Sequence, residues 1–524
     1  MTEVTTGRRS GALSVGLGIF LTRITGLVRQ RVLAHYFGLS PEADAWSAAF
    51  RIPNVLQNLF GDQALSASFI PVYASLVARG ERKDADRIAG AVASLLAVVV
   101  SVLVLVGVLA TSALIDVIAP GFTGDKRELT TRLVRILFPG AGILVLSAWC
   151  LGVLNTHHRF LLSYTAPIAW NAAMITALVV FGGGTELPRL AELVAWGSVV
   201  GSVLQLVVQL PSVFRVAPDL RFAIDTASPH VRTILRTFTP VFVSRGVVQI
   251  SAYVDQLLAS LLGTGAVAAI TNAQTLSTLP VSLFGMAVSA AELPAMARVS
   301  GPADTRHEVL RTRLDAGLRQ IAVFVVPSAM AFLALGDVVA AFIFQTGRFT
   351  RTDAVYVWGI LAGSAVGLLA STLGRLYAST YYALGDTRTP LNYAVLRVAL
   401  TTGLGYAFAI PLPRLLGVAP TWGAAGLTAS AGIAGWVEML LLRMSLNARI
   451  GRTGLAAGFT ARLWLGSALG AAAAWGTKLA IPFTQPIAVG IVVLGVYGIV
   501  FFAMTFLLGI PEALAMFRRL LRRR

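Results

Sequence analysis

The sequence predicts an all-α integral membrane protein, built as two six-helix lobes of parallel orientation followed by two extra C-terminal helices. Three observations lead there. Of the 524 residues, 56% are hydrophobic and 13% charged, about half the charged share of a soluble domain. Apolar runs of bilayer-spanning length recur about fourteen times. Segments of the first half also return, in order, in the second.

The runs fall at 12–37, 44–77, 86–115, 130–155, 160–182, 187–213 and 233–262, then at 265–297, 316–344, 353–381, 389–412, 420–446, 458–481 and 484–509. Several exceed the ~20 residues needed to cross, so tilts or kinks are expected, with Pro53, Pro71, Pro139, Pro280 and Pro294 as the places to bend. The net charge of +18 would suit nucleic acid, but the basic residues gather in alternate short loops. These include Arg79/Arg82/Lys83/Arg87, Arg215/Arg221/Arg232/Arg236 and Arg298/Arg306/Arg311/Arg313, with the tail Arg518–Arg524. Such a bias sets topology; it predicts both termini in the cytoplasm and no nucleic-acid partner. The first run is interrupted by Arg23 and Arg29 and lacks a small-residue cleavage site, so no cleavable signal is expected.

The repeat is read from four matches. FLTR at 20–23 returns as FVSR at 242–245, and LFGDQALSASFIP at 59–71 as LFGMAVSAAELP at 283–294. GFT at 121–123 returns within GRFT at 347–350, and Thr165-Ala-Pro167 within Thr387-Arg-Thr-Pro390. The nearly constant offset contains an even number of spans, so the copies share orientation and a site is expected at their interface. This divides the chain into 1–225, 226–450 and 451–524, the last holding two spans and a basic tail.

Charges inside apolar runs mark the candidate site, since each costs about 2.5–3.5 kcal/mol at the bilayer centre. Arg23 and Arg29 stand in the first run, Asp44 and Arg51 in the second, near Asn54 and Gln57. Arginine keeps its proton and presents a planar fork, so the natural guest is a phosphate or carboxylate. Each has a plainer reading. Arg29 could snorkel, and Arg51 could serve a helix end. Asp44 could cap the second helix, and Arg245 in the seventh run could pair with Asp255. A drug exporter would want acidic, aromatic walls around a cation, which the arginines oppose. The lone Cys150 excludes a disulfide framework. His157 and His158 lack metal-ligand spacing, and no hydrolase, nucleotide-loop or zincin motif occurs. Neither an enzyme nor a cofactor is expected.

The block TRITGLVRQRVLAHYFG, with EADAWSAAFRIPN and FIPV after it, resembles the amino-terminal signature of the MurJ/MviN lipid II flippases. That family belongs to the multidrug/oligosaccharidyl-lipid/polysaccharide exporter superfamily. LNTHHRFLLSYTAP at 154–167 and FQTGRFTRTDA at 344–354 resemble later family segments. The resemblance implies transfer of undecaprenyl-pyrophosphate-linked disaccharide pentapeptide to the outer leaflet of a bacterial inner membrane. It further implies a cationic cavity for the pyrophosphate, a lipid-tail groove formed by the last two spans, and cell-wall synthesis proteins and membrane lipids as candidate partners.

Carried over residue by residue, the family's first-span arginines match Arg23 and Arg29, its second-span acid Asp44, and a basic residue before the Pro-Asn step Arg51. Two further family arginines fall at Gln57 and Thr275. The repeat places Arg245 as the pseudo-equivalent of Arg23, so Arg245 is expected to supply the missing positive charge. Asp255 and Glu292 are candidates for ion coupling, although Leu396 stands where a sodium site would want a second carboxylate beyond Asn392. Two other classes stay open: an exporter of a different polyprenyl-linked glycan, and a non-transporting scaffold in cell-wall synthesis.

Overall fold

The computed structural model describes residues 2–299 and 302–512, and their side chains except at 2–16, 62, 63, 243–245, 247–252, 290, 294 and 303. Among the described residues the elements are helices, and the chain divides into two compact units, Met1–Val267 and Ala268–Arg524. Ten helices among the described residues are long and apolar enough to cross a membrane.

The first unit opens with α1 (Thr2–Phe37). The second expected span is broken into α2 (Pro41–Arg51), α3 (Asn54–Phe60) and α4 (Asp62–Ala78). Ser40 starts α2: its hydroxyl accepts from the Ala43 N–H at 3.2 Å, with Pro41 in the first turn. Pro53 ends it, because proline cannot donate the next helical hydrogen bond. Gly61 separates α3 from α4 in an extended conformation, where a Cβ would collide with the Gln57 carbonyl.

There follow α5 (Arg82–Leu109), α6 (Thr111–Ile118), α7 (Gly124–Thr156), α8 (Phe160–Thr165), α9 (Pro167–Phe181), α10 (Leu187–Val216) and α11 (Pro229–Ser260). Buried on most of its faces, α7 is the axis of the unit; α2, α4, α5 and α10 pack on it. Small residues permit the closeness: a Cβ at Gly107 of α5 would run into Phe138. α11 packs on α3 and α4.

The second unit holds α12 (Ala266–Pro280), a π-helical turn at Val281–Met286, α13 (Ala287–Ala297), α14 (Ala303–Phe344), α15 (Arg351–Ala383), α16 (Arg388–Ala409), α17 (Pro411–Leu415), a 3-10 turn at Pro420–Trp422, α18 (Gly423–Ile450), α19 (Ala457–Ala480) and α20 (Pro486–Leu507). α15 is its axis, started by a reciprocal capping box between Thr350 and Asp353. α15 approaches α18 through Gly367 and Gly432, which have no room for a methyl group between them.

α14 bends at Leu335, whose φ of −128° and ψ of 16° leave the helix. No proline stands at the bend. Instead the Trp358 indole donates to the Leu333 carbonyl at 2.9 Å, and the Trp475 indole to the Ala334 carbonyl at 2.7 Å. α19 and α20 lie against α14, with the Tyr497 hydroxyl donating to the Pro327 carbonyl at 2.6 Å and Lys478 paired with Asp337 at 2.6 Å.

Candidate functional site: a caged arginine

Arg29 lies eight residues before the end of α1, about 12 Å along the helix axis, and its guanidinium is fixed from two other helices. It sits 5.3 Å from the Phe50 ring centre on α2 and 5.1 Å from that of Trp170 on α9, both within cation–π range. Phe50 is itself stacked between Trp46 and Trp170, at 5.6 Å from each. The Arg29 Nη1 donates to Asn171 Oδ1 at 3.0 Å, and Asn171 Nδ2 donates in turn to Thr25 Oγ1 at 3.2 Å. The Trp170 indole is held by the Ser198 carbonyl at 3.1 Å. Rings and amides thus orient the cation, while Nε is buried without a hydrogen-bond partner. Among the described residues no carboxylate forms an ion pair with Arg29, so no acid there cancels its charge.

Arg23, fourteen residues from the end of α1, is exposed and makes no hydrogen bond among the described residues. Arg51 ends α2. Its Nη1 donates to Gln256 Oε1 at 3.4 Å, and Asp255 on α11 lies within electrostatic reach. Tyr253, also on α11, donates from its hydroxyl to the Arg51 carbonyl at 3.3 Å, one of the acceptors that a helix end leaves over.

Asp44 is fully buried in the first turn of α2. Its carboxylate takes Lys126 Nζ at 2.7 Å and the Gly265 N–H at 2.7 Å, and Lys126 also lies 4.3 Å from the Phe122 ring centre. Asn54 and Gln57 are half-buried on α3. Arg245 belongs to α11, and its side chain lies outside those described. In the second unit the Thr275 hydroxyl is turned back onto the Thr271 carbonyl at 2.9 Å, and Glu292 meets Arg313 at 3.4 Å.

His157 accounts for one more polar group of the first unit. It follows α7, its ring nitrogen 2.9 Å from the Tyr73 hydroxyl. Burial pulls its pKa below the usual histidine value, with Arg82 and His158 adding to the effect. Among the described residues no three metal-ligating side chains converge. Sequence reasoning missed the cage itself. Asn171 in an apolar run was its one visible signal.

Fold and site together define a multi-pass helical membrane protein that holds a fixed positive charge inside its spanning core. The family model described as "Lipid II flippase MurJ" matches residues 33–504. The lipid II flippase MurJ of Burkholderia cenocepacia is 32% identical over 443 residues, covering 83% of this chain and 83% of that one. The probable lipid II flippase MurJ of Rhizobium tropici is 30% identical over 444 residues, covering 83% and 80%. Among solved structures, a lipid II flippase MurJ in an inward closed conformation aligns with a TM-score of 0.76 at 22% identity, over 94% of this chain and 97% of that one. An inward-facing multidrug resistance MATE family transporter of the MOP superfamily aligns with a TM-score of 0.65 at 18% identity, over 82% and 98%. The chain belongs to the MurJ family. That family and its structural neighbours are transporters, not catalysts.

Proposed function

We propose that the chain is a lipid II flippase, carrying the undecaprenyl-pyrophosphate-linked peptidoglycan precursor from the cytoplasmic to the outer leaflet of a bacterial inner membrane by alternating access. The basic loops support a cytoplasmic location for both termini. The observation that carries the reading is Arg29: a cation in the membrane-spanning core, oriented by two rings and an amide, with no acid among the described residues to neutralise it. A fixed, planar, uncompensated guanidinium suits a pyrophosphate, and Arg23 and Arg245 would add charge to it. Arg51, Asn54, Gln57 and Thr275 are proposed to border the headgroup, and Asp255 and Glu292 are its candidate ion-coupling acids; Asp44, expected in that set, is fully buried and closed by Lys126, so its role is structural. The duplicated segments 1–225 and 226–450 are the proposed moving parts, with 451–524 appended.

A second reading, export of a different polyprenyl-linked glycan, is favoured by one feature: Gln57 and Thr275 replace two arginines of the resemblance. One replacement experiment separates the two. The gene takes the place of the chromosomal flippase of a bacterium, and growth and outward lipid II transfer are measured. Growth with restored transfer is expected. Failure despite normal abundance in the membrane overturns the lipid II reading.

A further inference from the structure

Three charged residues of the second unit, each on a different spanning helix, come together without any role in the site above. Arg397 on α16 pairs with Glu438 on α18, Nη1 to Oε2, at 3.2 Å. Arg375 on α15 lies within electrostatic reach of both. Counted from the helix ends at Ala383, Arg388 and Ile450, the three stand about 12, 14 and 18 Å along their helices. All are therefore near the middle of a ~30 Å hydrocarbon core. Charges at that depth are costly and need a reason.

Mutual neutralisation accounts for one arginine only. Two guanidiniums share one carboxylate, which leaves a surplus positive charge. Arg375 is the surplus member: its side chain is exposed and donates no hydrogen bond among the described residues, while Glu438 is 15% exposed and engaged by Arg397. A structural ion pair would be complete without Arg375.

We propose that Arg375 and Arg397, with Glu438 as their shared counter-charge, form a second anion subsite for the headgroup of the transported lipid. This rests on the flippase reading above. The ligand chemistry is a carboxylate or phosphate oxygen, accepted by the free fork of Arg375. Glu438 orients Arg397 and lowers the net charge, so that the anion is released rather than trapped. In lipid II such an oxygen has two sources, the pyrophosphate and the peptide carboxylates.

The test measures binding to purified protein in nanodiscs, with lipid II and with undecaprenyl pyrophosphate, which lacks the peptide. Arg375→Gln should weaken lipid II binding roughly tenfold, the loss of one charge-assisted hydrogen bond. A loss for lipid II alone assigns the subsite to the peptide carboxylates, and a loss for both assigns it to the pyrophosphate. Glu438→Gln gives the complementary signature: with the acid gone, lipid II should bind several-fold more tightly at low salt. A merely structural triad would predict the reverse. Unchanged binding by Arg375→Gln, or weakened binding by Glu438→Gln, overturns the subsite while leaving the flippase reading standing. No lipid II binding by the wild-type protein removes the flippase reading and the subsite with it.

Discussion

Two cations of the first unit, Arg29 and Lys126, solve the same problem in opposite ways. Lys126 is 14% exposed and closed by an acid: Asp44, fully buried, lies 2.7 Å away and takes the Gly265 N–H on the same oxygen. Arg29 is held by two ring faces, an amide oxygen and no acid. A carboxylate cancels charge. A π face or an amide dipole stabilises a cation and leaves its charge intact. The first arrangement locks three chain segments together. The second keeps a cation ready for something else, and the difference separates architecture from binding.

The contrast is open to a direct break. Asp44→Asn leaves Lys126 in place with its counter-charge removed, and breaking a buried pair costs about 3–5 kcal/mol. A large fall in melting temperature is expected, with much of it restored by adding Lys126→Met. If the two losses simply add, the pair is not the unit described. Arg29→Gln should do the opposite, leaving membrane abundance and melting temperature close to wild type while abolishing transport. Arg29→Lys should transport poorly, because an ammonium lacks the planar fork that bridges Asn171 and an anion. Full transport by Arg29→Gln removes the residue from the site.

The smallest effect sharpens the scale. Asp386, in the loop between α15 and α16, pairs at 2.7 Å with Arg449 in the last turn of α18, and also accepts from the Thr389 N–H at 3.0 Å and the Thr389 hydroxyl at 2.7 Å. The hydrogen bonds from Thr389 lead, with Arg449 assisting, in lowering the Asp386 pKa to about 2. The folded value lies below the unfolded one, so the stabilisation is full above the ordinary carboxylate range and is lost as pH falls towards 2. An exposed pair is worth about 0–1 kcal/mol. Asp386→Asn should therefore lower the melting temperature slightly at pH 7, and the difference should vanish near pH 2. A difference that persists in acid would assign the effect to packing.

Much of this molecule was legible in its residues. The helical membrane class follows from spans too apolar for water, and Arg29 stood out as a charge inside one. Pro53 marked a bend, although the second run proved to be three helices because Gly61 breaks it again. What stayed hidden depends on contacts between distant segments. Phe50 and Trp170 read as ordinary apolar residues until α2 and α9 meet at Arg29. Arg375, Arg397 and Glu438 are each isolated in sequence, and only the packing of α15, α16 and α18 makes them a group. Lys126 falls between two of the expected spans, yet it neutralises a buried acid. The bend of α14 carries no proline to announce it.

That bend has a mechanical consequence. A straight helix would return the Leu333 and Ala334 carbonyls to the N–H groups of Asp337 and Val338. Both carbonyls also accept from indoles, Trp358 of α15 and Trp475 of α19. The angle of α14 is thus gripped from two sides by separate levers, and it cannot open without one of them letting go. Any tilt of the C-terminal part of α14 must then drag α19, through Trp475 and the neighbouring Lys478–Asp337 pair, as a door carries its hinge plate.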